Sequence, residues 1–251
     1  MPSDALAQYL AHRQRLDELE PRFIPKVKRA LLRSVERAII AVEQGAGPDT
    51  AASFVDRAPI EKVLTALYVQ AGTMEARVTY DQLTEGQKAL APPAVVSRWA
   101  DRLKRFITTE GAAAVKGITD TTRKLVRSVL QEAAEAGDGV AVAARKLRER
   151  VVEVSKGRAV TIVRTELVSA ANYGSTLGAE ATGLRLEKFW IATKDGRVRQ
   201  SHALADGQGA PLQGGLFQVG GYACRYPADP MLPAGERANC RCATGFRVPI
   251  G

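Results

Sequence analysis

Aromatic rings are scarce in this chain: 6% of its 251 residues are Phe, Trp or Tyr. A core built mainly on rings is therefore excluded, and Ala, Leu and Val must fill it. Histidine is down to two residues and cysteine to three. An odd, small cysteine count excludes the framework of a disulfide-stapled secreted domain. No apolar run approaches ~18 residues, so no membrane span is expected. The start, Met1-Pro2-Ser3-Asp4, lacks the basic-then-apolar layout of a secretion signal, which points to the cytoplasm or a particle assembled there. There is no Gly-x-Ser-x-Gly elbow, no phosphate-binding P-loop and no His-Glu-x-x-His. There is also no internal repeat and no low-complexity tail.

What is present suffices for a buried core, since 45% of the residues are apolar. The net charge is +9, and it is uneven: residues 101–200 hold 19 Lys and Arg against 12 Asp and Glu. Such an excess favours anionic partners, nucleic acid first. A soluble helical surface richer in Arg than in Glu gives the same count.

The first 154 residues read as helices. Ser3 and Asp4 are positioned to cap a first helix that Pro21 should break. From Arg22 to about Gln44, apolar residues recur every three or four positions, the mark of an amphipathic helix. Gly45 to Asp49 ends it, and a further helical pattern runs from Ile60 to Ala71. Arg77 to Pro93 reads as a reversing loop. Val95 to Phe106 is helical again, and Asp120-Thr121-Thr122 is placed to cap a helix running toward Ala136. Val140 to Val154 follows. The basic residues of this region are Arg102, Lys104, Arg105, Arg123, Lys124, Arg127, Arg145, Lys146 and Arg148. Almost no rings lie between them, so contact with phosphates fits better than stacking on bases.

Ser155 and Gly157 precede a long helical pattern from Ala159 to about Ala181, closed by Thr182-Gly183. Its many small residues would let another element approach closely. The period then changes to two: Leu186 to Ala192 reads as a strand, with shorter candidates at Leu216 to Val219, Tyr222 to Arg225 and Cys242 to Val248. The expected class is α+β, a helical region over 1–154 followed by a small mixed domain over 155–251.

Most chemistry-bearing residues gather in that second part. Cys240-x-Cys242, His202 and Cys224 together offer four borderline or soft donors, and in a strand the two thiols of Cys-x-Cys share a face. Buried structural thiols, or a disulfide from Cys224 to Cys240 or Cys242, fit the same residues better than zinc does. His202 with Asp206 or Glu166 has the composition of a proton-transfer pair. A structural histidine that fixes the Asp206-Gly207 turn is the simpler role. Trp190, in the run Phe189-Trp190-Ile191, reads as core.

The ordered set Arg164-Thr165-Glu166, Trp190, Asp195-x-Arg197, His202-x-x-x-Asp206-Gly207, Pro227 to Pro230 and Asn239-Cys240-Arg241-Cys242 resembles the C-terminal domain of Mu F-like phage head morphogenesis proteins, from about Gly157 to Arg247. The resemblance implies a minor head protein of a tailed phage, a structural protein and not an enzyme. It implies residence in the head interior after assembly in the host cytoplasm, and no cofactor. Its expected partners are the portal protein, the major capsid or scaffold protein, and DNA through phosphates. It also suggests that Arg164 ties the long helix to the His202-to-Gly207 loop. Relatives often carry Cys or His where this chain has Arg199 and Arg237, so a complete zinc site is not implied. The alternative is a nucleic-acid or phosphoester-directed enzyme centred on His202 and Asp206.

Overall fold

Apolar side chains spaced three and four apart carry the front of the chain into helices. The computed structural model describes residues 3–85 and 90–249, with side chains from Leu6 onward, so the caps expected of Ser3 and Asp4 lie outside the described residues. Seven helices come first: α1 (Ser3–Ser34), α2 (Glu36–Glu43), α3 (Pro48–Ser53), α4 (Ala58–Leu83), α5 (Pro93–Thr108), α6 (Ala112–Glu135) and α7 (Val140–Ala181). The C-terminal part is β1 (Glu187–Ile191), α8 (Gln200–Leu204), β2 (Gly209–Pro211), β3 (Phe217–Val219), β4 (Tyr222–Cys224), α9 (Ala234–Arg237) and β5 (Ala243–Arg247). The class is α+β.

Pro21 does not break the first helix; α1 passes through both Pro21 and Pro25. Each proline deprives the carbonyl four residues earlier of its donor. Those carbonyls belong to Asp17 and Pro21, which share the exposed face with Pro25, so water can take them. Phe23 and Val27, fully buried beside them, hold the helix to its neighbours. The actual interruption is at Val35, the single residue between α1 and α2.

Two further expectations give way for a shared reason. Asp120-Thr121-Thr122 lies inside α6, because Thr119, Thr121 and Thr122 turn their hydroxyls back to the carbonyls of Val115, Gly117 and Ile118. Ser155 and Gly157 lie inside α7, which runs unbroken through residues 154 and 155. Ser155 donates to the Val152 carbonyl, and buried Val151 and Ala159 flank it. A helix-interior glycine costs only about 1 kcal/mol, which packing on both sides readily outweighs. The stretch from Arg77 also stays helical, to Leu83.

The long helix α7 links three cores. Its first turns pack with α2, α3 and α6 around Val126, Leu130 and Leu147. Its middle joins α1, α4 and α5 around Phe23, Leu64, Leu103 and Leu167. Val168 and Ala171 join the C-terminal core of Trp190, Phe217, Cys224 and Cys242. The sheet there has the order β2-β1-β5, all antiparallel, with Trp190 opposite Thr244. β3 and β4 form a separate hairpin whose turn residues, Gly220 and Gly221, both have positive φ. Two consecutive left-handed residues make the tight turn that suits hairpin twist, which is why Gly-Gly stands there.

One ionic cluster stitches α1 to α4. Glu75 is 1% exposed. Arg15 grips it bidentately, Nε to Oε1 at 2.6 Å and Nη2 to Oε2 at 2.9 Å, and His12 Nδ1 lies 3.1 Å from Oε2. Burial alone would raise the carboxyl pKa; His12 and the Arg15 fork outweigh it and hold the group at about 2, against an ordinary 4.5. A depressed carboxylate pKa contributes stability that is full above the unfolded value and is lost as pH falls toward the folded one. Between pH 4.5 and about 2 the fold should therefore lose on the order of 3 kcal/mol from this group. Urea midpoints measured down this range should fall steeply in the native chain and less steeply in Glu75→Gln. Equal slopes would remove Glu75 from the acid transition.

Candidate functional site

The C-terminal module is built against one face of α7. Asn172, fully buried, holds the strand β5 by both ends of its amide: Nδ2 donates to the Cys242 carbonyl at 3.2 Å and Oδ1 accepts from Thr244 N–H at 2.7 Å. Two turns earlier, Thr165 Oγ1 accepts the Asn239 N–H at 3.0 Å. That contact secures Asn239 in the left-handed region, φ 54°. Glu166, 2% exposed, takes Arg237 Nη2 at 2.6 Å and the Tyr68 hydroxyl at 2.9 Å, both on Oε2. Arg237 also donates to the Ala228 carbonyl at 3.1 Å. The Asn239-Cys240-Arg241-Cys242 segment is thus fixed by three side chains of a single helix.

His202 sits on α8 at 2% exposure, its ring edge-on to Trp190 with centroids 5.5 Å apart. Its Nδ1 lies 3.7 Å from Cys240 Sγ and 3.4 Å from Cys242 Sγ. Its Nε2 lies 3.0 Å from Glu236 Oε2, an ion-pair distance, with the oxygen off the ring N–H direction. Cys240 and Cys242 are each 1% exposed. Their thiols are driven apart: the Cys240 hydrogen bond and the His202 ring hold Cys242 below the usual thiol range against the opposing pull of burial, while the same bond and burial push Cys240 up.

The His202–Asp206 pair does not form. Asp206 turns instead to β1, accepting Ala192 N–H at 2.9 Å and the Lys194 ammonium. Gly207, φ 77°, donates to the Trp190 carbonyl at 2.8 Å, so the Asp206-Gly207 turn is pinned to the strand and not to the imidazole. Glu166 is likewise taken by Arg237. An enzyme centred on His202 and Asp206 therefore loses its proton-transfer pair, and the imidazole has no exposed face for substrate. The disulfide reading also fails: all three cysteines are free thiols. Cys224 is buried elsewhere, its thiol pushed up to about 12 by burial, and it does not belong to the His202 cluster.

Arg164 does not reach the His202 loop. It bonds Glu20 of α1 at 2.8 Å, because its side chain leaves α7 on the face turned to that helix. Asp195 accepts Arg197 N–H at 2.9 Å and both guanidinium nitrogens of Arg241, one of them at 2.8 Å; these bonds hold its carboxyl at about 2. Arg197 itself is only 3.9 Å from Asp195 and mostly exposed. Arg164, Asp195, Arg197, Asn239 and Cys240 all border one open cavity of ≈ 800 Å³ between α1, α7 and the Cys-x-Cys segment. Trp190 is fully buried core. At the Pro227-to-Pro230 turn, Arg225 grips the fully buried Asp229, with Nε and Nη2 each at 2.8 Å.

Glu236, Arg237 and Arg241 are the braces that sequence reasoning missed. One signal was available for Arg241: between two cysteines of a strand-like segment it must point to the opposite face, where Asp195 waits. Of the nine basic residues expected at phosphates, seven are ion-paired. Arg102 pairs with Glu180, Lys104 with Asp101, Arg123 with Asp120, Arg127 with Asp49, Arg145 with Glu149, Lys146 with Asp138 and Arg148 with Glu43. Among the described residues, only Arg105 and Lys124 of the nine have no carboxylate partner.

Among known proteins, residues 124–245 match the family described as Phage Mu protein F like protein. The match begins inside α6, upstream of residue 155, and ends in β5. No curated protein and no solved structure matches the chain.

Proposed function

We propose that this chain, which carries a Phage Mu protein F like region over residues 124–245, acts in phage head morphogenesis as a minor protein of the head interior. It docks on the portal or the inner capsid surface, is assembled in the host cytoplasm, and touches packaged DNA through phosphates. The family match carries the head role. Among the described residues no helix is long and apolar enough to cross a membrane.

Support for the DNA contact comes from α1 more than from residues 101–150. Arg22, Lys26, Arg29 and Arg33 follow one another at spacings of four, three and four, so they line one face of α1 over about 16 Å. All four are exposed, and none has a carboxylate within ion-pair distance among the described residues. Arg37, at the start of α2, continues the exposed basic run. The one ring among them, Phe23 under Lys26, is fully buried, so a row of uncompensated charge with no exposed ring suits a phosphate backbone and reads no bases.

Duplex DNA should bind at ~50 mM salt and weaken steeply by ~200 mM, as counterion release requires. Replacing the four α1 residues by Gln should flatten the log–log salt slope by about 3 to 4. The same change at Arg102, Arg123, Arg127 and Arg145 should alter it little, since those groups are already neutralised. No binding at low salt, or an unchanged slope in the α1 variant, would remove DNA contact by this face. For docking, mass spectrometry of purified heads should find the chain in portal-containing heads and depleted where the portal is missing. Equal amounts in both would place it on the capsid.

A further inference from the structure

We propose that His202, Cys240 and Cys242 bind a zinc ion. Three borderline or soft donors, from α8 and from the segment entering β5, converge with their ligand atoms all within 4.8 Å of one another. Zinc holds sulfur at about 2.3 Å and imidazole nitrogen at about 2.0–2.1 Å, which in a tetrahedron sets nitrogen and sulfur roughly 3.6 Å apart. The observed Nδ1-to-sulfur distances, 3.4 and 3.7 Å, bracket that value.

The surroundings fit a ligating imidazole. A histidine that binds metal through one nitrogen is commonly oriented by a carboxylate at the other. Glu236 stands at Nε2, 3.0 Å away, and Ser201 Oγ fixes the same carboxylate oxygen at 2.7 Å. The ring presents Nδ1 to the two thiols and Nε2 to Glu236, the orientation a ligating imidazole would need. Trp190 sets the ring plane. The order thiol, imidazole, carboxylate also describes a nucleophile with its base and orienting acid. Burial decides between the two: at 1–2% exposure none of the donors can meet a substrate, whereas a metal needs only the space they already enclose. The ion would take the two thiols as thiolates, releasing their protons to solvent, and would tie α8 to β5. A fourth ligand would come from water, since no fourth His, Cys, Asp or Glu joins the cluster among the described residues. This site does not depend on the role assigned to the chain in the head.

The test uses the full chain, purified without chelator. Elemental analysis should find about one zinc per chain. Metal-stripped protein titrated with Co²⁺ should develop thiolate-to-cobalt charge-transfer absorption. Cys224→Ser should keep both signals, and Glu236→Gln should weaken cobalt binding about 10–100-fold. Cys240→Ser and His202→Ala should lose the metal, and should they fail to fold, the native chain and Cys224→Ser still decide. A native chain that takes up neither metal, a cobalt complex without the thiolate band, or loss of metal in Cys224→Ser would overturn the proposal.

Discussion

Gly174→Val should leave no folded protein. At this point α4 and α7 touch backbone to backbone. A Cβ on Gly174 would stand 2.6 Å from the Gly72 Cα and nearer still to its carbonyl oxygen. One turn on, a Cβ on Gly178 would stand 2.9 Å from the Ala76 Cα. Nothing flexible is there to move aside, so the helices would have to separate along the most extensive contact in the molecule and open the core around Leu103 and Leu167. Overpacking of a yielding core costs about 1–3 kcal/mol. Forcing two helix backbones apart exceeds that, and total stability is only about 5–15 kcal/mol. Gly174→Ala should fold with a strongly lowered urea midpoint. Gly157→Ala, on the same helix but with nothing within 4 Å of the added carbon, should raise the midpoint, with a stability gain of up to about 1 kcal/mol. Unchanged midpoints in Gly174→Ala would mean that the crossing is looser than described.

The second large effect is at Arg237. Replacing it by Ala should cost about 3–5 kcal/mol, the usual penalty for leaving a buried charge without its partner. Glu166 would keep only the Tyr68 hydroxyl, and the Ala228 carbonyl would lose its donor. Removing the charge at both ends, as Glu166→Leu with Arg237→Met, should recover much of the loss, because a well-packed apolar pair avoids desolvation altogether. Tyr68→Phe should cost only about 1–2 kcal/mol. Thermal unfolding of the three variants separates these cases. Equal losses in the single and double charge variants would show that Arg237 acts through packing and not through its charge.

Much of this architecture is written in local pattern. The apolar spacing of α4 and of the second half of α7 shows in the sequence, as does the alternation that makes β1. The turn glycines around β3 and β4 show too. Of the set from Arg164 to Cys242, Trp190, His202 and the two thiols meet in one core, while Arg164 turns away to Glu20. What escaped depends on partners far away in the chain. A charge at position 75 or 166 does not announce that Arg15 or Arg237 will meet it, because long-range pairing leaves no periodic trace. Arg164 carried the right charge, yet only the rotation of α7 decides that it faces Glu20. Pro21 and Gly157 are breakers by propensity, and tertiary packing overrides both. The strand β2, Gly209-Ala210-Pro211, is too short for its alternation to show in sequence, although Ala210 enters the core and the segment pairs with β1.

The helix α7 has a mechanical meaning. At 42 residues it is a rod of about 63 Å, and its two ends belong to different cores. Its first turns pack in one core and Val168 and Ala171 in another, so an unbroken helical backbone spans the distance between the α2–α3–α6 end and the C-terminal module.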